Sequence, residues 1–173
     1  WSKLYAIIKA ANLIIDNADK VPTTQDEINI ALGQAYYWRA FSYFSLVRLF
    51  GPLPLILHNE VDNNDTPLTP VADIYTQIVS DLTAAEACNL PAQYTGTNRA
   101  INGTNIYVSI QTVKATLSAV YMSMAGYPLN QTSYYAQAAS KAKEVIDGVN
   151  NGTYPQSLLA DWGQVYSYGN NFH

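Results

Sequence analysis

Charged residues are scarce in this chain. Asp, Glu, Lys and Arg make up 13% of its 173 residues, against the ~25% typical of soluble domains, and the formal net charge is −4. This scarcity excludes a coiled coil rich in Glu, Lys and Arg, and it excludes a highly charged disordered tail. Because nucleic-acid binding needs a basic surface, the mild acidity also predicts no nucleic-acid partner.

Cysteine and histidine are nearly absent. The single cysteine, Cys88, excludes an internal disulfide, and we predict that it packs as a small hydrophobic residue near a helix end. The two histidines, His58 and His173, have no cysteine or second histidine at metal-ligand spacing. The Asp- and Asn-rich residues 62–65 lack the glycine and glutamate positions of a calcium loop. We therefore predict no metal, no cofactor and no catalytic residue, so the chain is not expected to be an enzyme.

Long hydrophobic runs are missing as well. No stretch approaches the ~18 consecutive apolar residues that a membrane-spanning helix needs, and no signal peptide is recognisable. The sequence opens at Trp1 inside a helical pattern and stops at His173 without a closing element. We therefore expect residues 1–173 to form a single helical region that is part of a larger protein.

Tyrosine is abundant, with 14 residues against four phenylalanines. Its ring is apolar and its hydroxyl is polar, which suits half-buried positions and binding surfaces. We expect most of these rings to line contacts between helices. A surface rich in Tyr and Asn but poor in charge is also typical of sugar-binding and extracytoplasmic proteins.

Hydrophobic periodicity predicts an all-α fold with five substantial helices. Apolar residues recur at spacings of three and four, the pattern of a helix with a buried face. The predicted helices cover residues 3–18, 25–49, 70–87, 111–124 and 133–147, with a short further helix near 158–162. Long irregular loops at 58–67 and 90–105 separate some of them, and no segment has a convincing strand pattern. The order of helix–turn–helix pairs is tetratricopeptide-like.

Several residues mark where these helices begin and end. Thr24, with Glu27 three residues later, matches a capping box, and Thr69 before Pro70 predicts a threonine N-cap. The predicted structural residues at helix ends, turns and the extended run after the second helix are Gly51, Pro54, Gly126 and Pro128.

Arg39 is a fixed charge between two apolar stripes on the second helix. Two stripes on one helix predict that it is covered on both sides. Because a buried and unpaired charge is very costly, Arg39 should have a carboxylate or several carbonyl groups as partners. A structural clamp is favoured here over a ligand anchor.

Four segments, in order, resemble the SusD/RagB family. Residues 39–56, RAFSYFSLVRLFGPLPLI, resemble its signature of an Arg-Ala helix with aromatics that runs into Tyr/Phe-Gly-x-hydrophobic-Pro-Leu-Ile. Residues 1–12 resemble the helix before this signature, residues 121–146 a later helix pair, and residues 158–166 the segment that follows it. The resemblance covers nearly the whole chain.

This resemblance implies a nutrient-binding lipoprotein, lipid-anchored on the external face of the Gram-negative cell outer membrane. Such a protein captures an oligosaccharide, or in some branches a peptide, and passes it to a SusC-like TonB-dependent transporter. The family's lipid-bearing cysteine and C-terminal half have no counterpart here, and Cys88 cannot replace the anchor, so membrane attachment would come from a lipid outside this chain. A tetratricopeptide-type adaptor that binds a partner peptide or protein stays open as the alternative.

Aromatic residues in loops and at the ends of the chain are candidates for ligand binding, because sugars stack their apolar faces on aromatic rings. These candidates are Trp1, Tyr94, Tyr127 and Trp162. For each of them, packing against neighbouring helices or against the rest of the protein is the alternative interpretation.

Overall fold

The computed structural model describes residues 1–59, 66–94, 99–101 and 104–157. Its five α-helices are α1 (Ser2–Ile15), α2 (Gln25–Phe50), α3 (Val71–Ala87), α4 (Ile110–Ala125) and α5 (Tyr134–Asn150), with a short 3-10 helix at Ala18–Lys20. The described residues are mostly helical and the helices pack in pairs, which confirms the all-α prediction. The helix predicted near 158–162 lies outside the described residues.

Each helix packs against the next one in sequence, from α1 through to α5. The longest helix, α2, contacts α1 on one side and α3 on the other, which is why its sequence has two apolar stripes. The largest fully buried apolar side chains of the core are Tyr43, Ile8, Leu46, Leu53, Ile74, Ile78, Leu82, Leu117, Val113 and Val120.

The start of α2 follows the predicted capping pattern. Thr24 is the N-cap, and its hydroxyl accepts a hydrogen bond from the backbone N–H of Glu27 at 3.3 Å. At the other end, Gly51 is the C-cap. Its backbone φ is 73°, a value that residues with a Cβ rarely adopt. Gly126 is the C-cap of α4, and Pro128 follows it in the turn before α5.

Two short antiparallel strand pairs were not predicted from the sequence. Strand β1 (Leu53–Pro54) pairs with β2 (Leu68–Thr69), and β3 (Ala100–Ile101) pairs with β4 (Thr104–Asn105). Strands of two residues are too short to produce an alternating pattern of apolar and polar side chains.

The predicted threonine N-cap of α3 is wrong. Thr69 instead pairs with Leu53 in the β1–β2 ladder. The helix begins at Val71, and Pro70 is its N-cap without a side-chain hydrogen bond. Because Thr69 is held in extended pairing, its hydroxyl does not cap the first turn.

Candidate functional site

A buried arginine joins three helices at one point. Arg39 donates from Nε and Nη2 to the two carboxylate oxygens of Asp81, at 2.8 and 2.7 Å, and both residues are at most 5% exposed. Its Nη1 donates to Asn12 Oδ1 at 2.9 Å and to the Leu57 carbonyl at 3.0 Å. Burial acts to lower the pKa of Arg39, but the hydrogen bonds and charge of Asp81 outweigh it and the pKa is raised. Asp81 therefore supplies the carboxylate expected for a buried arginine.

Residues 54–59, here called the strap, run along α1 and α2 and are held by side chains of these helices. The Tyr5 hydroxyl donates to the Pro54 carbonyl at 2.7 Å. The Tyr43 hydroxyl accepts from the Ile56 N–H at 2.7 Å and donates to the Ile56 carbonyl at 2.9 Å. Burial raises the pKa of Tyr5 to about 12 and that of Tyr43 further above its ordinary value. Both phenols therefore stay protonated and keep their donor hydrogens.

Two further side chains of the α1 end hold the strap. The Asn12 amide donates to the carbonyls of Ile56 and His58, at 3.0 and 3.2 Å. Asp16 accepts from the Asn59 N–H at 2.8 Å and lies 3.0 Å from His58 Nδ1. The backbone hydrogen bond from Asn59, and then the one from His58, lower the pKa of Asp16. The strap is thus positioned by polar side chains of α1 and α2.

A groove of about 350 Å³ opens beside the N-terminal half of α2. We call it the α2 groove. Its lining comes from α1, from α2 and from the connection between α3 and α4, namely Ile14, Glu27, Ile30, Ala31, Gln34, Trp38, Arg99, Ile106 and Tyr107.

One wall of the α2 groove is fixed to α2 by a glutamine. Gln34 accepts from the Val108 N–H at 2.9 Å and donates to the Val108 carbonyl at 2.9 Å. The same carbonyl accepts from the Tyr94 hydroxyl at 3.0 Å, and the Tyr94 ring lies edge-on to Tyr107 with centroids 5.8 Å apart. These contacts hold Tyr107 in place beside α2.

The rim of the α2 groove carries a pair of opposite charges. Arg99 donates to a carboxylate oxygen of Glu27, and its guanidinium lies 5.6 Å from the centroid of the Tyr107 ring. The hydrogen bond with Glu27 raises the pKa of Arg99. The groove therefore combines aromatic rings with charges that balance each other.

Within the described part of the chain, no three His, Cys, Asp or Glu side chains are grouped to hold a metal ion. The same residues contain no helix of the length and hydropathy needed to cross a membrane. His173 and the Asp- and Asn-rich residues 62–65 lie outside the described ranges.

Residues 1–122 match the SusD-like family model described as "Starch-binding associating with outer membrane". The chain belongs to the SusD-like family. SusD-like binding proteins are non-catalytic, in agreement with the prediction that the chain is not an enzyme.

Individual SusD-like proteins align with almost all of this chain. SusD-like protein P2 of Formosa agariphila is 32% identical over 169 residues, which are 96% of this chain and 30% of that protein. A SusD superfamily crystal structure from Parabacteroides distasonis has a TM-score of 0.75 and 33% identity, covering 86% of this chain and 31% of that one. A structure described as a laminarin-binding SusD-like protein has a TM-score of 0.79 and 26% identity, covering 99% and 35%. The chain spans about a third of the length of these SusD-like relatives.

Of the four aromatic residues predicted as ligand contacts, the three that the structure describes are not brought together in this SusD-like chain. Trp1 is 52% exposed and packs edge-on against Phe50, with centroids 4.9 Å apart. Tyr127 is 90% exposed in the turn between α4 and α5. Tyr94 is 4% exposed, so its ring lies in the interior rather than on an accessible surface. Trp162 lies outside the described residues.

Sequence reasoning missed the α2 groove. Trp38 lies within the predicted helix 25–49 like any apolar helix residue, and Tyr107 lies between the predicted loop 90–105 and the predicted helix 111–124. The ion pair between Glu27 and Arg99 joins residues 72 positions apart, which no local pattern reveals. The sequence contains one local sign of the groove. Gln34 and Trp38 are four residues apart and therefore lie on the same face of the predicted second helix.

Proposed function

We propose that this chain is the helical scaffold of a cell-surface glycan-binding protein. The whole protein would capture an oligosaccharide, with a peptide as the second ligand class, and pass it to a SusC-like TonB-dependent transporter. The observation that carries this proposal is membership of a family described as starch-binding and associating with the outer membrane.

A relative supports a neutral glucan as the ligand class. The laminarin-binding SusD-like protein is similar to 99% of this chain, with 26% identity. Laminarin is an uncharged polysaccharide, and this chain has few charged residues, at 13%. A neutral polysaccharide fits a protein of this composition, because binding it does not require a strongly basic or strongly acidic surface.

The buried polar contacts support the role of a scaffold. Hydrogen bonds of 2.7–3.0 Å hold the first three helices and the strap together. They are made by the side chains of Arg39, Asp81, Tyr43 and Asn12. Binding surfaces need such support, because a contact residue on a loosely held element is poorly positioned for its ligand.

We further propose that the protein is held on the external face of the outer membrane by a lipid attached outside this chain. The family's description as associating with the outer membrane supports this placement. Cys88 is not the anchor in this proposal, because it is half-buried at the C-cap of α3 and burial raises the pKa of its thiol.

The proposed function is tested on the full-length protein by calorimetric titration and by co-purification. The titrants are laminari-, malto- and xylo-oligosaccharides and a mixture of peptides, and the co-purification uses the tagged protein in its source membrane. We expect heat of binding from a neutral oligosaccharide and recovery of a TonB-dependent transporter. Failure of every titrant together with failure to recover a transporter would exclude the proposal.

The adaptor alternative has less support. It predicts regular helix pairs with similar connections, as in tetratricopeptide arrays of ~34 residues per unit. Here residues 51–70 connect α2 to α3, whereas residues 126–133 connect α4 to α5. Peptide binding without any transporter would favour the adaptor.

A further inference from the structure

We propose that the α2 groove is a subsite for a neutral saccharide on the helical scaffold. The inference rests on the proposed function and extends it to named residues. The groove lining includes none of the four aromatic positions that the sequence suggested. Among the three of them that the structure describes, Tyr94 alone contacts this region, through its ring contact with Tyr107.

Two accessible aromatic side chains line the groove. Trp38 is 42% exposed and Tyr107 is 39% exposed, so each keeps part of its surface available to a ligand. The C–H groups on one face of a pyranose ring are apolar and pack favourably on such flat surfaces. The groove volume of about 350 Å³ lies at the lower end of the ~300–1,000 Å³ typical of small-molecule sites.

The polar rim is suited to hydroxyl groups. The Glu27 side chain is 46% exposed, and its carboxylate accepts hydrogen bonds, while the guanidinium of Arg99 has several donors in a fixed plane. Sugar hydroxyls both donate and accept, so they match this combination. Because Glu27 and Arg99 form an ion pair with each other, the rim has no net charge to attract an anionic or cationic ligand.

The groove is already organised before a ligand binds. Both ends of the Gln34 side-chain amide are bonded to the Val108 backbone, at 2.9 Å each, which holds the neighbouring Tyr107 beside α2. Trp38 is held on its own side by ring contacts with Tyr37 and Phe41, with centroids 5.3 and 5.9 Å away. A ligand therefore meets two positioned rings and loses little affinity to the ordering of side chains.

The test is calorimetric titration of the full-length protein and its variants Trp38→Ala and Tyr107→Ala with laminarihexaose, maltohexaose and xylohexaose. Tyr135→Ala is the matched control, because Tyr135 is an aromatic residue of α5 that is 48% exposed and does not line the groove. We expect each groove variant to lower the affinity for the bound hexasaccharide at least tenfold, or to remove one binding event, while the control titrates like the wild type. Thermal unfolding of each variant checks that it is folded.

A third variant, Glu27→Gln, keeps the volume of the rim and tests its polar contribution. We expect a loss of a few-fold in affinity, smaller than that of the aromatic variants.

If the wild type binds a hexasaccharide and both folded aromatic variants bind it equally well, the groove proposal is wrong and the proposed function stands. If no saccharide binds the wild type, the groove proposal is wrong, and the proposed function is then decided by its peptide titration and transporter co-purification. Loss of peptide binding in the groove variants would in that case assign the groove to peptides.

Discussion

Arg39 and Asp81 form a bidentate ion pair across the α2–α3 contact, although they are 42 residues apart in sequence. Both are almost completely buried, and Asn12 and the Leu57 carbonyl take up the remaining donors at Nη1. A buried charge is stable only beside its counter-ion, because water cannot reach it and solvate it in place of that partner. The pair therefore ties the packing of the first three helices to the placement of the strap.

Replacing Asp81 should strongly destabilise the fold. Asp81→Asn keeps the shape of the side chain but leaves Arg39 as an uncompensated buried charge, so we expect a loss of ~3–5 kcal/mol in the free energy of unfolding. The matched control is Asp147→Asn, because Asp147 forms an exposed ion pair with Lys143, and such pairs contribute only ~0.2–1 kcal/mol. Urea unfolding followed by circular dichroism measures both. Equal losses in the two variants would contradict the assigned role of Asp81.

Removing the Tyr43 hydroxyl should loosen the strap. In Tyr43→Phe the Ile56 N–H loses its acceptor at 2.7 Å, whereas the Ile56 carbonyl keeps the Asn12 amide as a donor. An unsatisfied buried donor costs ~1–3 kcal/mol. Because Ile56 is half-buried, we expect a loss of ~1 kcal/mol, the lower end of that range, from urea unfolding. Tyr135→Phe, at an exposed position, should change stability by less than ~0.5 kcal/mol. Amide hydrogen exchange should also be faster at Ile56 in Tyr43→Phe alone, and unchanged exchange there would count against the strap contact.

The helices were predictable because their signals are local. Apolar spacing, Thr24 and Gly51 mark α2 within a few neighbouring residues, and the observed helix ends lie close to the predicted ones. The position of Arg39 likewise required a partner, but the sequence did not indicate that Asp81 is this partner. Any of several carboxylates on later helices satisfies the same electrostatic requirement.

The strap and the α2 groove depend on contacts that have no local signal. Tyr43 and Ile56 meet because α2 ends at Gly51 and the chain turns back along it. Glu27 of α2 and Arg99 of the connection between α3 and α4 are 72 residues apart in sequence and meet only in the packed fold. Residues such as Trp38 carry the same pattern whether a neighbour covers them or a groove exposes them, so periodicity cannot identify a groove.

The contact between α4 and α5 should depend on pH. Glu144 contacts Lys114 at 2.7 Å and Lys141 at 3.1 Å, and the hydrogen bond from Lys114 is the main cause of its lowered pKa. Because the folded pKa lies below the unfolded one, this stabilisation is complete above the unfolded pKa of ~4.3 and is lost as the pH falls through the folded pKa. Glu144→Gln should therefore reduce stability at pH 7 but much less at pH 3.

The size of this effect is limited by solvent, because the Glu144 side chain is 36% exposed. We expect less than ~1 kcal/mol at pH 7, measured by urea unfolding at both pH values. Asp19→Asn is the control, since Asp19 is exposed, lies outside the α-helices, and has no ion pair among the described residues. A loss for Glu144→Gln that is the same at pH 3 and pH 7 would show that packing, not charge, is responsible.

Gly148 should be more stable than alanine at the end of α5, although glycine is a poor helix former. A Cβ built at this position would lie 2.4 Å from two ring atoms of Tyr154, whose backbone N–H donates to the Gly148 carbonyl at 2.8 Å. Gly148→Ala gains ~1 kcal/mol of helix propensity but forces an overpacked contact that costs ~1–3 kcal/mol. Since the Tyr154 ring is rigid and 8% exposed, we expect the clash to dominate and the melting temperature to fall.

The sign of the Gly148→Ala effect should reverse when the ring is removed. In a Tyr154→Ala background the added methyl group meets no ring, so only the propensity gain of up to ~1 kcal/mol remains. A double-mutant cycle by urea unfolding then measures the coupling energy between positions 148 and 154. We expect this energy to equal the overpacking cost and to be at least as large as the ~1 kcal/mol difference in helix propensity between glycine and alanine. If Gly148→Ala is stabilising in both backgrounds, the ring does not press on α5 and the close approach has no energetic consequence.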